Sequence, residues 1–390
     1  MKLLLLSTYP PTPCGIAEYT HSLLMHLKLI SRHRYIREVT ILANEDSERS
    51  HDYGTEATVE PVFVVGKGKY DRAIDVLRRV PNHDIAHIQH EYVHHPPFSE
   101  EFLKFLSELR KKCRSIVMTM HTVYHVVKGR EYVKYQLKLC RYVDLLIVHS
   151  KLQEFELLHQ GVDVDKIVVI PHGTPHNPFI NYKREELCEL LGLKAAVNTY
   201  VIFIPGFIRW DKGTDVVPEL VKYLAKELHE NCTVVTAGTP QGSDGVAVFE
   251  KLSKYLVPSG KVSAVMIGRY LTRDELLALA ALADVIVLPY REYRGHLGVS
   301  GMLHTVASSL KPIVCTKVPR LVEYYELVPE LVVSLADPRE IASMVSYVLE
   351  NYSYILKKIR PTLSEFVRRT HWSVVASRHL RTYLDIAMSQ

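Results

Sequence analysis

The chain has 390 residues, 47% of them hydrophobic and 23% charged, enough for two packed domains and unlike the composition of a disordered polymer. A formal net charge of +5 does not demand nucleic acid or a membrane as partner, and no run of about 18 apolar residues offers a span. The six cysteines (Cys14, Cys113, Cys140, Cys188, Cys232, Cys315) show no paired spacing, which argues against a disulfide framework or zinc motif and fits a reducing, cytoplasmic compartment.

Met1 to Leu6 resembles the start of a signal peptide, but the apolar run stops at Ser7 and Tyr9-Pro10-Pro11-Thr12-Pro13 follows, so a first buried strand is the better reading. Apolar runs then alternate with amphipathic ones. Strands are expected at Lys2 to Leu6, Val39 to Ala43, Asp84 to Gln89, Ser115 to Met120, Leu145 to Val148 and Ile167 to Ile170. Helices are expected at Ala17 to Leu29, Asp71 to Arg79, Glu100 to Lys112, Lys128 to Tyr142 and Lys151 to His159. A polar gap from Glu45 to Glu56 reads as a mobile or ligand-facing loop. The alternation implies a parallel, doubly wound α/β sheet.

Pro171-His172-Gly173-Thr174-Pro175-His176-Asn177-Pro178 reads as the linker, after which the pattern restarts. Strands are expected near Tyr200 to Ile204, Thr233 to Ala237, Ser263 to Ile267, Val285 to Pro289, Ile313 to Cys315 and Leu331 to Val333, and helices from about Pro338 to Ala387.

In such sheets ligands sit beyond the carboxyl ends of the strands. The residues that follow the strands are therefore candidates, expected to face one cleft between the domains. In the first half these are the loop leading through Gly15 and Ile16 to Tyr19, then His90-Glu91, His121 and His172. Imidazoles there suit hydroxyls, phosphates or proton transfer near neutral pH, and Gly15 lets the backbone approach a ligand closely. His87, His90, His94 and His95 lack a regular ligand spacing, and Asp163-Val164-Asp165 precedes a strand, on the wrong edge of the sheet, so no metal site is expected.

In the second half Gly206-Phe207-Ile208-Arg209-Trp210-Asp211-Lys212-Gly213 links a strand to a helix, and Arg209 and Lys212 would add cations where strand ends and helix starts already favour anions. Downstream, Ser300 is a natural N-cap before Gly301 and Met302, whose amides would point out of a helix start. Two sites of the same preference imply a diphosphate-bearing ligand. No phosphate loop or dinucleotide fingerprint occurs, since Gly66-Lys67-Gly68 lacks a third glycine.

These motifs, with His87-Ile88-Gln89-His90-Glu91 and Lys166 through Gly173, resemble the retaining glycosyltransferases of the GT-B fold, group 1 or family 4, the group of sucrose synthases and many mannosyltransferases. The resemblance implies two Rossmann-like domains. Residues 1–175 would be acceptor-side, joined by a C-terminal helix at about 372–390, and residues 176–371 would bind the donor. It implies transfer of a hexose, with retention and without a metal or other cofactor, from a nucleoside diphosphate sugar such as GDP-mannose or UDP-glucose to a hydroxyl of a glycan, lipid-linked or small sugar acceptor.

Under that resemblance Arg209 and Lys212 stabilise the leaving diphosphate and His121 contacts the donor sugar. Gly206, Ser300, Gly301 and Met302 hold the donor, and Gly15, Ile16, Tyr19, His90, Glu91 and His172 flank acceptor and phosphate. Many members carry a pair of glutamates around the Ser300 helix; Leu297 and Thr305 stand at those positions here, shifting the roles to Glu292 or His296 and to Thr305. Their loss keeps two alternatives open, a non-catalytic nucleotide-sugar or glycan binder and a sugar-nucleotide epimerase. Glu100 to Arg114 and Lys128 to Arg141 mix basic and apolar residues, compatible with peripheral contact at the inner face of an anionic membrane.

Overall fold

The structure is a computed structural model that describes residues 1–31, 34–47 and 53–388. The chain forms two compact units, one of Met1–Gly173, Arg294–Val299 and Thr370–Gln390, the other of Thr174–Tyr293 and Ser300–Arg369. Of the polar gap at Glu45 to Glu56, residues 48–52 lie outside the described residues.

The first unit contains β1 (Lys2–Leu6), β2 (Glu38–Asn44), β3 (Thr58–Phe63), β4 (His83–His90), β5 (Cys113–Met120), β6 (Thr122–Tyr124), β7 (Leu145–Val148) and β8 (Ile167–Val169). Seven of these form a parallel sheet in the order β3-β2-β1-β4-β5-β7-β8. The uninterrupted apolar run of β1 is explained by its central place. Leu3 and Leu5 belong to the core cluster shared with the helices Gly15–Ser31 and Trp372–Met388, while Leu4 and Leu6 belong to that shared with Asp71–Arg79 and Glu100–Lys112. A strand buried on both faces has no polar side to alternate with.

The helices begin where small hydroxyls can cap them. Ser99 accepts from Phe102 N and Ser150 from Gln153 N, and Glu100–Lys112 runs from two acidic residues to three basic ones, matching its dipole. That helix turns Phe102, Leu103, Phe105, Leu106 and Leu109 into the core, and Arg130–Cys140 buries Tyr135, Gln136, Leu139 and Cys140. Both helices thus turn apolar residues into the protein interior. No helix among the described residues is long and apolar enough to cross a membrane.

The second unit contributes β9 (Tyr200–Pro205), β10 (Cys232–Ala237), β11 (Val262–Ile267) and β12 (Val285–Leu288). After the short β13 (His296–Gly298), which belongs to the first unit, come β14 (Ile313–Thr316) and β15 (Val332–Val333). The parallel sheet runs β11-β10-β9-β12-β14-β15, which in the unit's own count is the Rossmann order 3-2-1-4-5-6. Asp284 fixes its middle: it accepts both Nη2 contacts of Arg184 at 2.7 Å and Val201 N at 2.8 Å, tying the starts of β12 and β9 together.

The strand order reverses between β1 and β4 in the first unit and between β9 and β12 in the second. These are the switch points where the carboxyl edge opens a crevice. β13 pairs antiparallel with β6, His296 opposite Tyr124 and Gly298 opposite Thr122. The C-terminal stretch is three helices, Pro338–Glu350, Tyr352–Thr370 and Trp372–Met388.

Candidate functional site

At the switch point of the second unit, the loop after β9 makes two short helical turns, Trp210–Lys212 and Thr214–Val216, hinged on Gly213 at φ 68°. A Cβ on Gly213 would lie 1.8 Å from the carbonyl oxygen of Pro289, so only glycine lets this loop sit against the end of β12. The close approach seats Lys212 Nζ 3.9 Å from the ring centre of Tyr290, a cation–π contact. Tyr290 is itself held, its hydroxyl 3.2 Å from Ser300 Oγ and its carbonyl accepting from Thr316 Oγ1 at 2.6 Å.

Asp211 organises the charges. Arg209 donates Nε and Nη2 to its two carboxylate oxygens at 2.7 and 2.6 Å and Nη1 to Gln241 at 2.9 Å. Arg320 approaches the same carboxylate at 3.7 Å. Burial works to raise the Asp211 pKa, but Arg209, Lys212 and Arg320 together hold it below the usual range. Burial and then the Arg320 guanidinium lower the Lys212 ammonium to about 7. Arg291 forms a second pair with Asp215 and lies 5.1 Å from the Trp210 ring centre. Cations therefore outnumber carboxylates around a half-buried Lys212, an arrangement that suits a multiply charged anion.

Ser300 caps the helix Gly301–Ala307 by accepting from Leu303 N at 3.2 Å. A methyl on Gly206 would meet the Met302 Cε at 4.0 Å, so these two stretches adjoin. Thr305 donates its hydroxyl back to Gly301 O at 3.0 Å. Glu292 is exposed, whereas His296 lies in β13 of the first unit with its ring 5.0 Å from that of Tyr124. The structure brings Arg209, Lys212, Gly206, Ser300, Gly301 and Met302 into one unit and leaves His296 in the other.

In the first unit the rings at the strand exits gather around Tyr19, which is 1% exposed. His121, His172 and Trp372 lie 5.0, 5.2 and 5.0 Å from it, and its hydroxyl is 3.3 Å from His379 Nε2. Tyr19 therefore braces this cluster from within. His121 Nε2 lies 2.9 Å from Gln89 Oε1 and its Nδ1 3.2 Å from His149 Nε2; burial, then His149 and His172, hold its pKa well below the ordinary value, so it is a neutral imidazole near pH 7. His172 Nδ1 lies 2.9 Å from Gly173 O, and a Cβ on Gly173 would strike the Trp372 ring at 2.1 Å.

His90 is fully buried, stacks near Tyr92, His95 and Phe102, and is pushed by burial to about 3. Its side chain faces the core, not the strand exit. Glu91 accepts from Thr122 Oγ1 at 2.7 Å. Ile16 is buried, whereas among the described residues nothing beyond the immediate chain lies within 4 Å of where a Gly15 Cβ would sit. Sequence reasoning did not single out Cys14 as a site residue: its Sγ is 3.5 Å from His94 Nε2 at the switch point of this unit. Burial would raise the thiol, but the hydrogen bond and charge of His94, with Thr8, bring it to about 7. Tyr290, Asp211 and Arg320 were also missed; Arg320 lies just past the end of β14, where the carboxyl-edge rule would have found it. Among the described residues no group of His, Cys, Asp and Glu is arranged to hold a metal.

Residues 198–351 match the family model of glycosyl transferases group 1, and residues 47–171 that of the glucosyltransferase 3-like N-terminal domain. No curated protein matches the sequence. Among solved structures, HepE of Anabaena in complex with UDP and glucose aligns at TM-score 0.71 and 15% identity, covering 99% of this chain and 99% of that one. A glycosyltransferase of Rickettsia africae aligns at 0.70 and 16%, covering 99% and 98%. A UDP-forming α,α-trehalose-phosphate synthase of Burkholderia xenovorans aligns at 0.71 and 13%, covering 99% of both chains. Two Rossmann-like units of this topology, aligned with those solved structures over nearly the whole chain, give the protein the GT-B fold. The stretch that matches the group 1 glycosyl transferase model, residues 198–351, lies in the second unit apart from Arg294–Val299.

Proposed function

We propose that the protein transfers a hexose from a nucleoside diphosphate sugar to a hydroxyl acceptor, with retention at the anomeric carbon and without a metal. The observation that carries this reading is the charge arrangement on Asp211, Lys212 and Tyr290 at the switch point of the second unit. Of the two donors considered from the sequence, UDP-glucose is the better supported, because solved neighbours hold UDP, UDP-glucose or glucose and the first unit matches a glucosyltransferase model. GDP-mannose has no such support.

In the proposed step the anomeric carbon–oxygen bond breaks and its electron pair passes to the β-phosphate oxygen. The acceptor hydroxyl bonds to the same face of the sugar and gives its proton to the departing phosphate. Negative charge grows on the diphosphate as the bond breaks, so cations fixed beforehand favour the transition state over the ground state. Lys212 and Arg209 take this role, with the first amides of the Ser300-capped helix, Gly206 and Met302 lining the same edge. Thr305 and Glu292 are the ribose and sugar contacts proposed on this unit.

On the first unit, His121 is proposed to contact the transferred sugar as a neutral imidazole, and Gly15, Ile16, Glu91 and His172 to flank acceptor and phosphate. The space around Gly15, open among the described residues, leaves room for a ligand. Tyr19 and His90 act through packing. The test is incubation with UDP-glucose, ADP-glucose and GDP-mannose and a panel of sugar acceptors. Acceptor-dependent release of UDP supports the reading. Binding without release would make the chain a nucleotide-sugar binder, and isomerised donor without acceptor an epimerase.

A further inference from the structure

Arg320 stands in the short turn Pro319–Leu321 that follows β14, at the same sheet edge as the loops of Lys212 and Tyr290. Its side chain is only 24% exposed, and its guanidinium makes no hydrogen bond among the described residues. The one group it approaches is Asp211 Oδ2 at 3.7 Å, too far for a hydrogen bond. That oxygen already accepts from Arg209 Nη2 at 2.6 Å, and Oδ1 accepts from Arg209 Nε at 2.7 Å. Arg209 thus has the carboxylate to itself, and the planar fork of Arg320, with its five N–H donors, is left over.

A largely buried cation without hydrogen bonds is costly, and the distant approach to Asp211 offsets little of that cost. Its charge is felt by a second cation, Lys212, and by Tyr290. Counting Arg209 and Arg320 against Asp211, the site carries one surplus positive charge, and a second when Lys212 is protonated. A sugar nucleotide has one negative charge on each of its two phosphates, and the leaving nucleoside diphosphate has more.

We propose that Arg320 is a third diphosphate-binding residue, donating to the phosphate oxygens of the nucleoside diphosphate, with Asp211 orienting Arg209 and keeping its carboxylate out of reach of Arg320's donors. This rests on the donor reading given above. It assigns the loop after β14 to the ligand, alongside the loop after β9 and the end of β12. Because charge on the leaving group grows during transfer, the contribution of Arg320 is larger toward UDP than toward UMP and appears in kcat as well as in KM.

The experiment is calorimetric titration of the full-length protein with UDP and with UMP, for wild type, Arg320→Gln and Arg320→Lys, with thermal unfolding measured on each. Loss of a charge-assisted contact is expected to weaken UDP about tenfold or more while UMP changes much less, so that the ratio of the two affinities collapses in Arg320→Gln and partly recovers in Arg320→Lys. A lower melting temperature with an unchanged ratio would mean that Arg320 merely steadies Asp211, and would overturn the inference. Should Arg320→Gln not fold, Arg320→Lys is read in the same way: it keeps the charge but loses the fork, so an unchanged ratio overturns and a reduced one supports. Failure of the wild type to bind UDP, GDP or ADP would instead remove the donor reading itself.

Discussion

Replacing Gly213 with alanine tests how tightly the loop after β9 is built. At φ 68° an alanine pays the left-handed penalty, on the order of 1–2 kcal/mol. The larger effect is steric: the new methyl would sit 1.8 Å from Pro289 O and 2.8 Å from Pro289 C, so the loop must retreat by more than an ångström from the end of β12. The residue before it is Lys212 and the residue after Pro289 is Tyr290, so the retreat opens the 3.9 Å ammonium–ring contact directly. A displacement of that size in a positioning loop costs activity on the order of a hundredfold. Combined strain of about 2–4 kcal/mol would lower the melting temperature by roughly 4–15 °C. Differential scanning calorimetry and initial rates of nucleoside diphosphate release measure the two effects. Wild-type melting together with wild-type rate would refute the claim that glycine is required for the seating of Lys212.

Gly15→Ala is the contrasting case: with open space around the new methyl, the melting temperature is expected to stay within about 1–2 °C of wild type, while the proposed ligand role predicts a raised KM; unchanged kinetics would remove that role. Lys212→Met should slow turnover by at least a hundredfold. Because the native Lys212 pKa is lowered from 10.5 to about 7, the folded chain binds fewer protons than the unfolded one between those values, so its charged-state penalty is complete below pH 7 and relieved as pH rises. Lys212→Met should therefore be at least as stable as wild type below pH 7, with the gap closing toward pH 10; a large loss of stability at pH 6 would contradict this. The same group makes kcat/KM fall above about pH 7 in wild type, a limb absent from Lys212→Arg. With Asp211, Arg209, Arg320 and Tyr290 all facing Lys212, Arg320→Gln should move that limb upward. Cys14, paired with His94 and held at about 7, should be the thiol most readily alkylated near neutral pH; mass spectrometry placing the label first on Cys113 or Cys315 would contradict the pairing.

Much of the architecture was legible because buried parallel strands leave a plain mark. Leu3 to Leu6, Leu146 to Val148 and Val285 to Leu288 are apolar throughout since both faces are covered. β3 escaped notice because Pro61 and Glu60 interrupt it; it lies at the sheet edge, where a missing N–H is tolerated. β6 and β13 escaped because each is three residues long and their pairing joins Thr122 to Gly298, far apart in the chain.

The cations of the β9 loop followed from the carboxyl-edge rule, but the rule names positions and not side-chain directions. It could not say that Tyr19 and His90 turn inward, that Asp211 spends its carboxylate on Arg209, or that His304 is buried between Thr174 and Glu323 at 2.9 and 3.1 Å. Nor does a stretch rich in proline reveal that Thr174 and Asn177 are anchored, the latter donating to Leu277 O at 3.0 Å. These are outcomes of packing between distant segments, which periodicity does not encode.

The most direct measurement is calorimetric titration of UDP into wild-type protein and into Lys212→Ala at pH 6.5. A diphosphate held by the second unit's cations requires saturable binding by the wild type and a loss of about tenfold or more in the variant. Equal affinity in the two proteins, or no binding by the wild type, would contradict it.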